Sequence, residues 1–257
     1  MSWPKPMATS VPDFRQGTMQ GRTVLIIGGS SGIGLATARF CAASGAQVII
    51  ASRDAARREA ALKQIGTGTL GRYVDLARTE TIDALFQDAA LASLDHLVFL
   101  PPPAALAPIG ELPLADIRAH FEHAVVAAFH CAQLALPKMK QVPESSLCFV
   151  TGALSRSPQP GTTAIVAAQH ATEGLALTLA REVAPIRANV LVPGVVETPF
   201  WDSLPPANRE AIYDDARTKS LTGRISTPEQ IADACVTLLA NPFITGTAFV
   251  VDGGWSR

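Results

Sequence analysis

The chain has 257 residues, 48% of them hydrophobic and 17% charged. That is enough apolar material for one sizeable core and too little charge for a disordered chain. Twenty-one Lys and Arg against 22 Asp and Glu leave a formal charge of −1, so the clustered positive charge that a nucleic-acid surface requires is missing.

Residues 1–20, with Pro4, Pro6 and Pro12 and no continuous apolar run, read as a loose leader and not as a secretory signal. No stretch reaches the roughly 18 apolar residues of a membrane span. The most apolar one, from Leu97, is broken at Pro101, Pro102 and Pro103. From Thr23 onward, short β-branched runs alternate with longer amphipathic ones. The expected strands are Thr23–Ile27, Gln47–Ala51, Arg72–Val74, His96–Leu100, Leu147–Thr151, Ala188–Val192 and Ala248–Val251. Most are continuously apolar, the pattern of strands buried on both faces. The expected helices between them are Gly32–Ala43, Asp54–Gln64, Thr79–Leu91, Ala115–Lys140, Thr163–Glu182 and Pro228–Leu239. Regular strand–helix alternation without a linker predicts one α/β domain over residues 21–257: a doubly wound, Rossmann-like parallel sheet flanked by helices on both faces. The cysteines, Cys41, Cys131, Cys148 and Cys235, lack a CxxC spacing. They read as buried thiols of a reducing compartment, and no metal site is expected. A cytoplasmic location follows as the expectation.

Ligands of such sheets bind at the carboxyl ends of the strands. After the first strand comes Gly28-Gly29-Ser30-Ser31-Gly32-Ile33-Gly34, leading directly into a helix. Glycines there let the backbone turn tightly and approach a pyrophosphate seated on the helix N-terminus. The second strand ends in Ser52-Arg53, where an acidic residue would accept from the ribose of NAD. A hydroxyl and a guanidinium suit a 2′-phosphate instead, so NADP(H) is expected in preference to NAD(H).

With these residues in place the chain resembles the short-chain dehydrogenase/reductase family, from about Gly21 to the C-terminus. The family's glycine motif opens with threonine; here Ile27 replaces it, while Gly28, Gly32 and Gly34 hold. Asp75-Leu76 matches the pair that contacts adenine, and Pro193-Gly194-Val195-Val196-Glu197-Thr198 the segment that holds the nicotinamide carboxamide. The resemblance thus implies cofactor contacts at Gly28, Ser30, Ser31, Gly32, Ile33, Gly34, Ser52, Arg53, Asp75, Leu76, Pro193, Gly194, Val196 and Thr198. Thr245-Gly246 and Asp252-Gly253-Gly254 match the closing strand. The segment from about 198 to 222 resembles the family's mobile lid over an apolar small-molecule substrate.

The family's chemistry uses a tyrosine that moves the proton, a lysine that lowers the tyrosine's pKa, and a serine and an asparagine that orient substrate and water. Anchored on Glu173-Gly174-Leu175, the lysine position is Gln169 and the tyrosine position Ile165. Val150-Thr151-Gly152 puts Gly152 in the serine position, and Phe129 with Gln133–Pro137 puts Ala124 in the asparagine position. No shift of register restores the set: the two tyrosines are Tyr73 and Tyr213, no lysine lies between Lys140 and Lys219, and no asparagine precedes Asn189. Where the family has Asn-Asn-Ala-Gly, this chain has Phe99-Leu100-Pro101-Pro102, which removes backbone donors beside the cofactor.

Replacement proton donors are sought among nearby side chains. His123 adjoins the asparagine position, but a helical step of about 100° is expected to turn it off that face; the same holds for His170 beside Gln169. His120 and His130 are expected to be structural. Thr151, Ser155, Thr162 and Thr163 supply hydroxyls without a base, and Tyr213 and Trp201 lie in the lid segment. The helices Ala115–Lys140 and Thr163–Glu182 carry Ala and Leu on more than one face, which calls for burial on both sides. The resemblance implies a homodimer or homotetramer, or pairing with an active relative. Three functions stay open: an NADP(H)-dependent oxidoreductase with a nonstandard proton source, a noncatalytic cofactor-binding subunit or sensor, and a non-redox cyclase or isomerase using the same pocket.

Overall fold

The computed structural model describes residues 18–103 and 105–257; the expected leader falls outside them as far as residue 17. The β-branched and aliphatic runs form seven strands: β1 (Thr23–Ile27), β2 (Gln47–Ser52), β3 (Leu70–Tyr73), β4 (His96–Phe99), β5 (Ser146–Val150), β6 (Arg187–Pro193) and β7 (Ala248–Val251). They make one parallel sheet in the order β3-β2-β1-β4-β5-β6-β7. The order reverses between β1 and β4, which sets the switch point beside the glycine turn. Because side chains alternate across a strand, Val24 and Ile26 join the core on one face while Leu25 and Ile27 join that on the other.

The helices are α1 (Gly32–Ala43), α2 (Ala55–Ile65), α3 (Thr79–Phe86), α4 (Leu114–Phe121), α5 (Ala127–Ala135), α6 (Thr163–Glu182), α7 (Pro206–Lys219) and α8 (Pro228–Ala240). Helices α1 and α8 pack on one face of the sheet, and α3, α5 and α6 on the other. None is long and apolar enough to cross a membrane. All four cysteines are buried thiols, Cys148 and Cys235 with sulfurs 3.9 Å apart. Burial raises the Cys131 thiol to about 12.

Several expected boundaries shift. β3 begins at Leu70 and ends at Tyr73, because its partner residues on β2 are Ile49–Ser52. The helix expected over Thr79–Leu91 ends at Phe86 and resumes as a 3-10 turn over Ala89–Leu91, capped by the Asp88 carboxylate. The long helix expected over Ala115–Lys140 is not continuous. Between α4 and α5 a π-turn covers Glu122–Val126, and a 3-10 turn over Leu136–Lys138 starts around Pro137. Helix α7, inside the lid segment, was not expected from the sequence. Its only buried residues are Tyr213 and Ala216, too few for an apolar period, and its start is marked chiefly by Pro206 in the first turn.

Candidate active site

A crevice of about 1470 Å³ opens at the carboxyl ends of the first six strands. Pockets for one small ligand run from about 300 to 1,000 Å³, so this one has room for a dinucleotide and a second molecule. The turn after β1 forms its floor. Gly28 (φ 82°) and Gly32 (φ 50°) occupy the left-handed region, where a side chain is strained. A Cβ on Gly32 would lie 3.1 Å from the Thr198 side chain across the crevice, so glycine keeps that gap open. Ser31 caps α1 in an extended conformation without a side-chain hydrogen bond, and the first turn holds no acidic residue. The positive helix end therefore faces the crevice unneutralised by the protein's own acids.

Every expected cofactor contact lies on this crevice: Ser30, Ile33 and Gly34 with the glycine turn, Ser52 and Arg53, Asp75 and Leu76, and Pro193, Gly194, Val196 and Thr198. Asp75 is held by its own loop, its carboxylate accepting from Ala77 N–H at 3.1 Å. At Gly194 the glycine serves packing, since a Cβ would meet the Asp252 Cα at 2.8 Å. Pro101, Pro102 and Pro103 form a wall of the crevice. They do not close it: the Leu100 N–H bonds Ile27 O at 3.1 Å, which keeps the prolines beside the glycine turn.

Ala124, Gly152, Ile165 and Gln169 also line the crevice. The π-turn places Ala124 against α6, where the Thr172 hydroxyl donates to Ala124 O (3.3 Å) and Ala168 O (3.0 Å). Gly152 and Gln169 are sterically coupled, because a Cβ on Gly152 would lie 2.7 Å from Gln169 Nε2. One turn beyond Gln169, the buried Glu173 carboxylate binds Arg156 at 2.6 Å and Ser155 at 2.8 Å, anchoring the loop after β5 to α6.

Four buried side-chain polar atoms on this crevice have no hydrogen-bond partner among the described residues: Ser52 Oγ, His120 Nε2, Gln169 Oε1 and Trp255 Nε1. Buried polar atoms are almost always paired, so each of these calls for a partner beyond the described protein atoms, in a ligand or in ordered water.

A family model described as enoyl-(acyl carrier protein) reductase matches residues 28–256. Short-chain dehydrogenase/reductase ATR9 of Stachybotrys chlorohalonatus is 31% identical over 248 residues, covering 92% of this chain and 98% of that protein. The chain belongs to the short-chain dehydrogenase/reductase family. A second relative, 33% identical over 92% of this chain and 95% of its own length, is the short-chain dehydrogenase/reductase malC of Malbranchea aurantiaca. The structure of MalC reductase/Diels-Alderase from that organism superposes with a TM-score of 0.84, covering 93% of this chain and 98% of that one at 30% identity. The 2,5-dichloro-2,5-cyclohexadiene-1,4-diol dehydrogenase of Sphingobium indicum is 30% identical over 93% of this chain and 98% of that one.

Within this family member the candidate proton groups fall differently from the sequence expectation. His123 is half-buried and lines the crevice with His120. The 100° rotation argument fails because the π-turn bonds i to i+5 and widens the helix at that residue. His170 is exposed, and His130 bonds Asp83 at 2.7 Å, joining α5 to α3. Thr151 and Thr162 reach the crevice; Ser155 and Thr163 are not on its lining. Nor is Tyr213, which is buried with its ring edge-to-face on Trp201. Burial first, and then the Glu197 charge, raises the Tyr213 phenol above its ordinary range. Phe200 and Trp201 are lid aromatics that line the crevice, the Trp201 indole N–H donating to Val196 O at 2.9 Å.

Proposed function

We propose that this chain is an NADP(H)-dependent oxidoreductase that handles a bulky apolar small molecule without the tyrosine–lysine pair of its family. The observation that carries this reading is the set of unpaired polar atoms along a crevice floored by the glycine turn. The first turn of α1 and the backbone of Gly28–Gly34 would hold the pyrophosphate. Ser52 Oγ and the Arg53 guanidinium would take the 2′-phosphate, and Arg53 makes no ion pair among the described residues. Gln169 Oε1 accepts hydrogen bonds, so it fits a ribose hydroxyl in the place where the family carries lysine. The bound dinucleotide supplies or takes a hydride. Pro103, Leu106, Ile165 and Trp201 form an apolar lining that excludes water and orients the second molecule. Losing a general acid costs about 10²–10⁴ in rate, so slow turnover of ordinary ketones is expected unless another group moves the proton.

Titration with NADPH and NADH, followed by cofactor fluorescence, tests the reading. NADPH should bind more tightly, and Arg53→Ala should weaken NADPH about tenfold while leaving NADH unchanged, the scale of one partly solvated charge-assisted contact. Failure of both nucleotides to bind below millimolar concentration would refute it. Binding without consumption of any ketone or enone would favour a noncatalytic subunit or sensor.

A second reading has its own support. The MalC structure is described as a reductase and a Diels–Alderase, and this crevice exceeds the volume of one ligand. A cyclisation or isomerisation driven by shape needs no proton donor, which suits the residues at Ile165 and Gln169.

We also infer self-association. Val126 just before α5, Phe129 on it, and Leu177 on α6 are exposed apolar residues of the two segments expected to pair. The wild-type chain should sediment as a dimer or tetramer and Phe129→Glu as a smaller species; a monomeric wild type would dismiss this.

A further inference from the structure

His120 is the one residue that α4 buries, with 7% of its surface exposed. A helix that otherwise faces solvent would ordinarily turn an apolar side chain inward at such a position. Here it turns in an imidazole, and Nε2 finds no partner among the described residues. The sequence expectation of a structural histidine asks for a bond of the kind His130 makes to Asp83; His120 lacks it at this nitrogen.

Its level in the crevice follows from the topology. The α4–α5 segment and α6 are successive crossovers between parallel strands, so they run in the same direction. The Thr172 hydroxyl fixes their register by bonding Ala124 O. One turn earlier on each helix come His120 and Ala168, with Ile165 next along α6 on the same face. His120 thus stands level with Ala168, one turn along from Ile165 in the family's tyrosine position, and both His120 and Ile165 line the same crevice.

We propose that His120 is the catalytic base of this site, taking the hydroxyl proton of an apolar secondary alcohol as that alcohol is oxidised to a ketone. This rests on the dinucleotide reading above. The alcohol O–H bond breaks and its proton goes to Nε2. The carbinol C–H bond breaks with both electrons, and the hydride passes to the oxidised nicotinamide dinucleotide. The C=O double bond forms, and the imidazolium releases its proton to solvent after the ketone departs. Burial, and next the neighbouring His123, hold the His120 imidazole below its ordinary range, so the ring is uncharged near neutral pH.

The test uses the full chain with α-tetralol and α-tetralone as probes. NADPH titration of wild type, His120→Gln and His120→Phe comes first, and equal affinity is expected because His120 lies outside the nucleotide contacts. In protein carrying isotope-labelled histidine and saturated with NADP⁺, α-tetralone should move the ring-nitrogen resonance that is absent from His120→Gln. Wild type should oxidise α-tetralol. His120→Gln, which keeps a hydrogen-bonding group near Nε2, should lose about 10²–10⁴-fold in kcat with little change in KM. His120→Phe should lose turnover and raise KM together. If wild type binds no nucleotide, the dinucleotide reading fails and this proposal with it. If nucleotide binds normally, an unmoved His120 resonance, no oxidation of the alcohol, or near wild-type kcat in His120→Gln overturns the role of His120 alone. Should His120→Phe not fold, the wild-type resonance and His120→Gln decide.

Discussion

Gly34→Ala should abolish measurable dinucleotide binding and lower stability by about 3 kcal/mol, the upper end of overpacking costs. A Cβ on Gly34 would lie 2.2 Å from Gly28 O and 2.9 Å from Gly28 C, well inside contact distance. Both neighbours are backbone, so no side chain can swing away to relieve the clash. Helix α1 would have to lift from the end of β1, and that movement displaces the very N–H groups that face the crevice. The strain is steric and not dihedral, since Gly34 does not have a positive φ. Urea unfolding and NADPH fluorescence titration of the variant check both halves. Wild-type affinity together with an unchanged midpoint would show that the turn is more pliable than its packing implies.

Arg187→Met should cost about 3 kcal/mol or more in stability, because each buried carbonyl left without a donor costs about 1–3 kcal/mol. Arg187 opens β6 with 2% of its surface exposed, and its guanidinium forms no ion pair with a carboxylate among the described residues. It donates instead to four carbonyl oxygens: Pro143 (2.6 Å), Leu238 (2.6 Å), Leu239 (2.5 Å) and Ile244 (2.9 Å). Leu238 and Leu239 lie in the last turn of α8, where helix carbonyls lack internal partners and the helix end is negative. Methionine fills much of the volume but takes this donor from the Pro143, Leu238 and Leu239 oxygens, while Ile244 O keeps the Asn189 amide at 2.9 Å. Because the network lies at the amino ends of the strands, away from the crevice, nucleotide affinity of the folded variant should match wild type. A loss under about 1 kcal/mol in urea unfolding would show that water takes over the carbonyls.

Much of the molecule was legible along the chain because it is set by neighbours in sequence. Thr23–Ile27 and Gly32–Ala43 form at the expected residues: one is a β-branched and aliphatic run, the other begins at a glycine turn. The π-turn at Glu122–Val126 has no comparable local signal. It stands where Thr172, from a helix one crossover away, claims the Ala124 carbonyl. That contact also reversed the reading of His123 and brought His120 into view. Tyr213 was another residue whose direction depended on packing, with Trp201 taking its ring. The coupling of Gly152 to Gln169 was hidden for the same reason. Read singly, each is a missing side chain, whereas together the glutamine amide fills the space a serine Cβ would need. Returning serine to position 152 therefore displaces the Gln169 amide from its present place.

The succession of the seven strands, the glycine turn after the first of them, and the lack of tyrosine or lysine on α6 were determined by the amino-acid sequence alone, since each is a matter of composition or of spacing within one element. Which polar atoms remain unpaired, and which of them share a cavity, was decided only by the tertiary structure. His120 and Gln169 sit on different helices, and the distance between such groups depends on how two helices lie against one sheet. Spacing along a single helix carries no information about that arrangement.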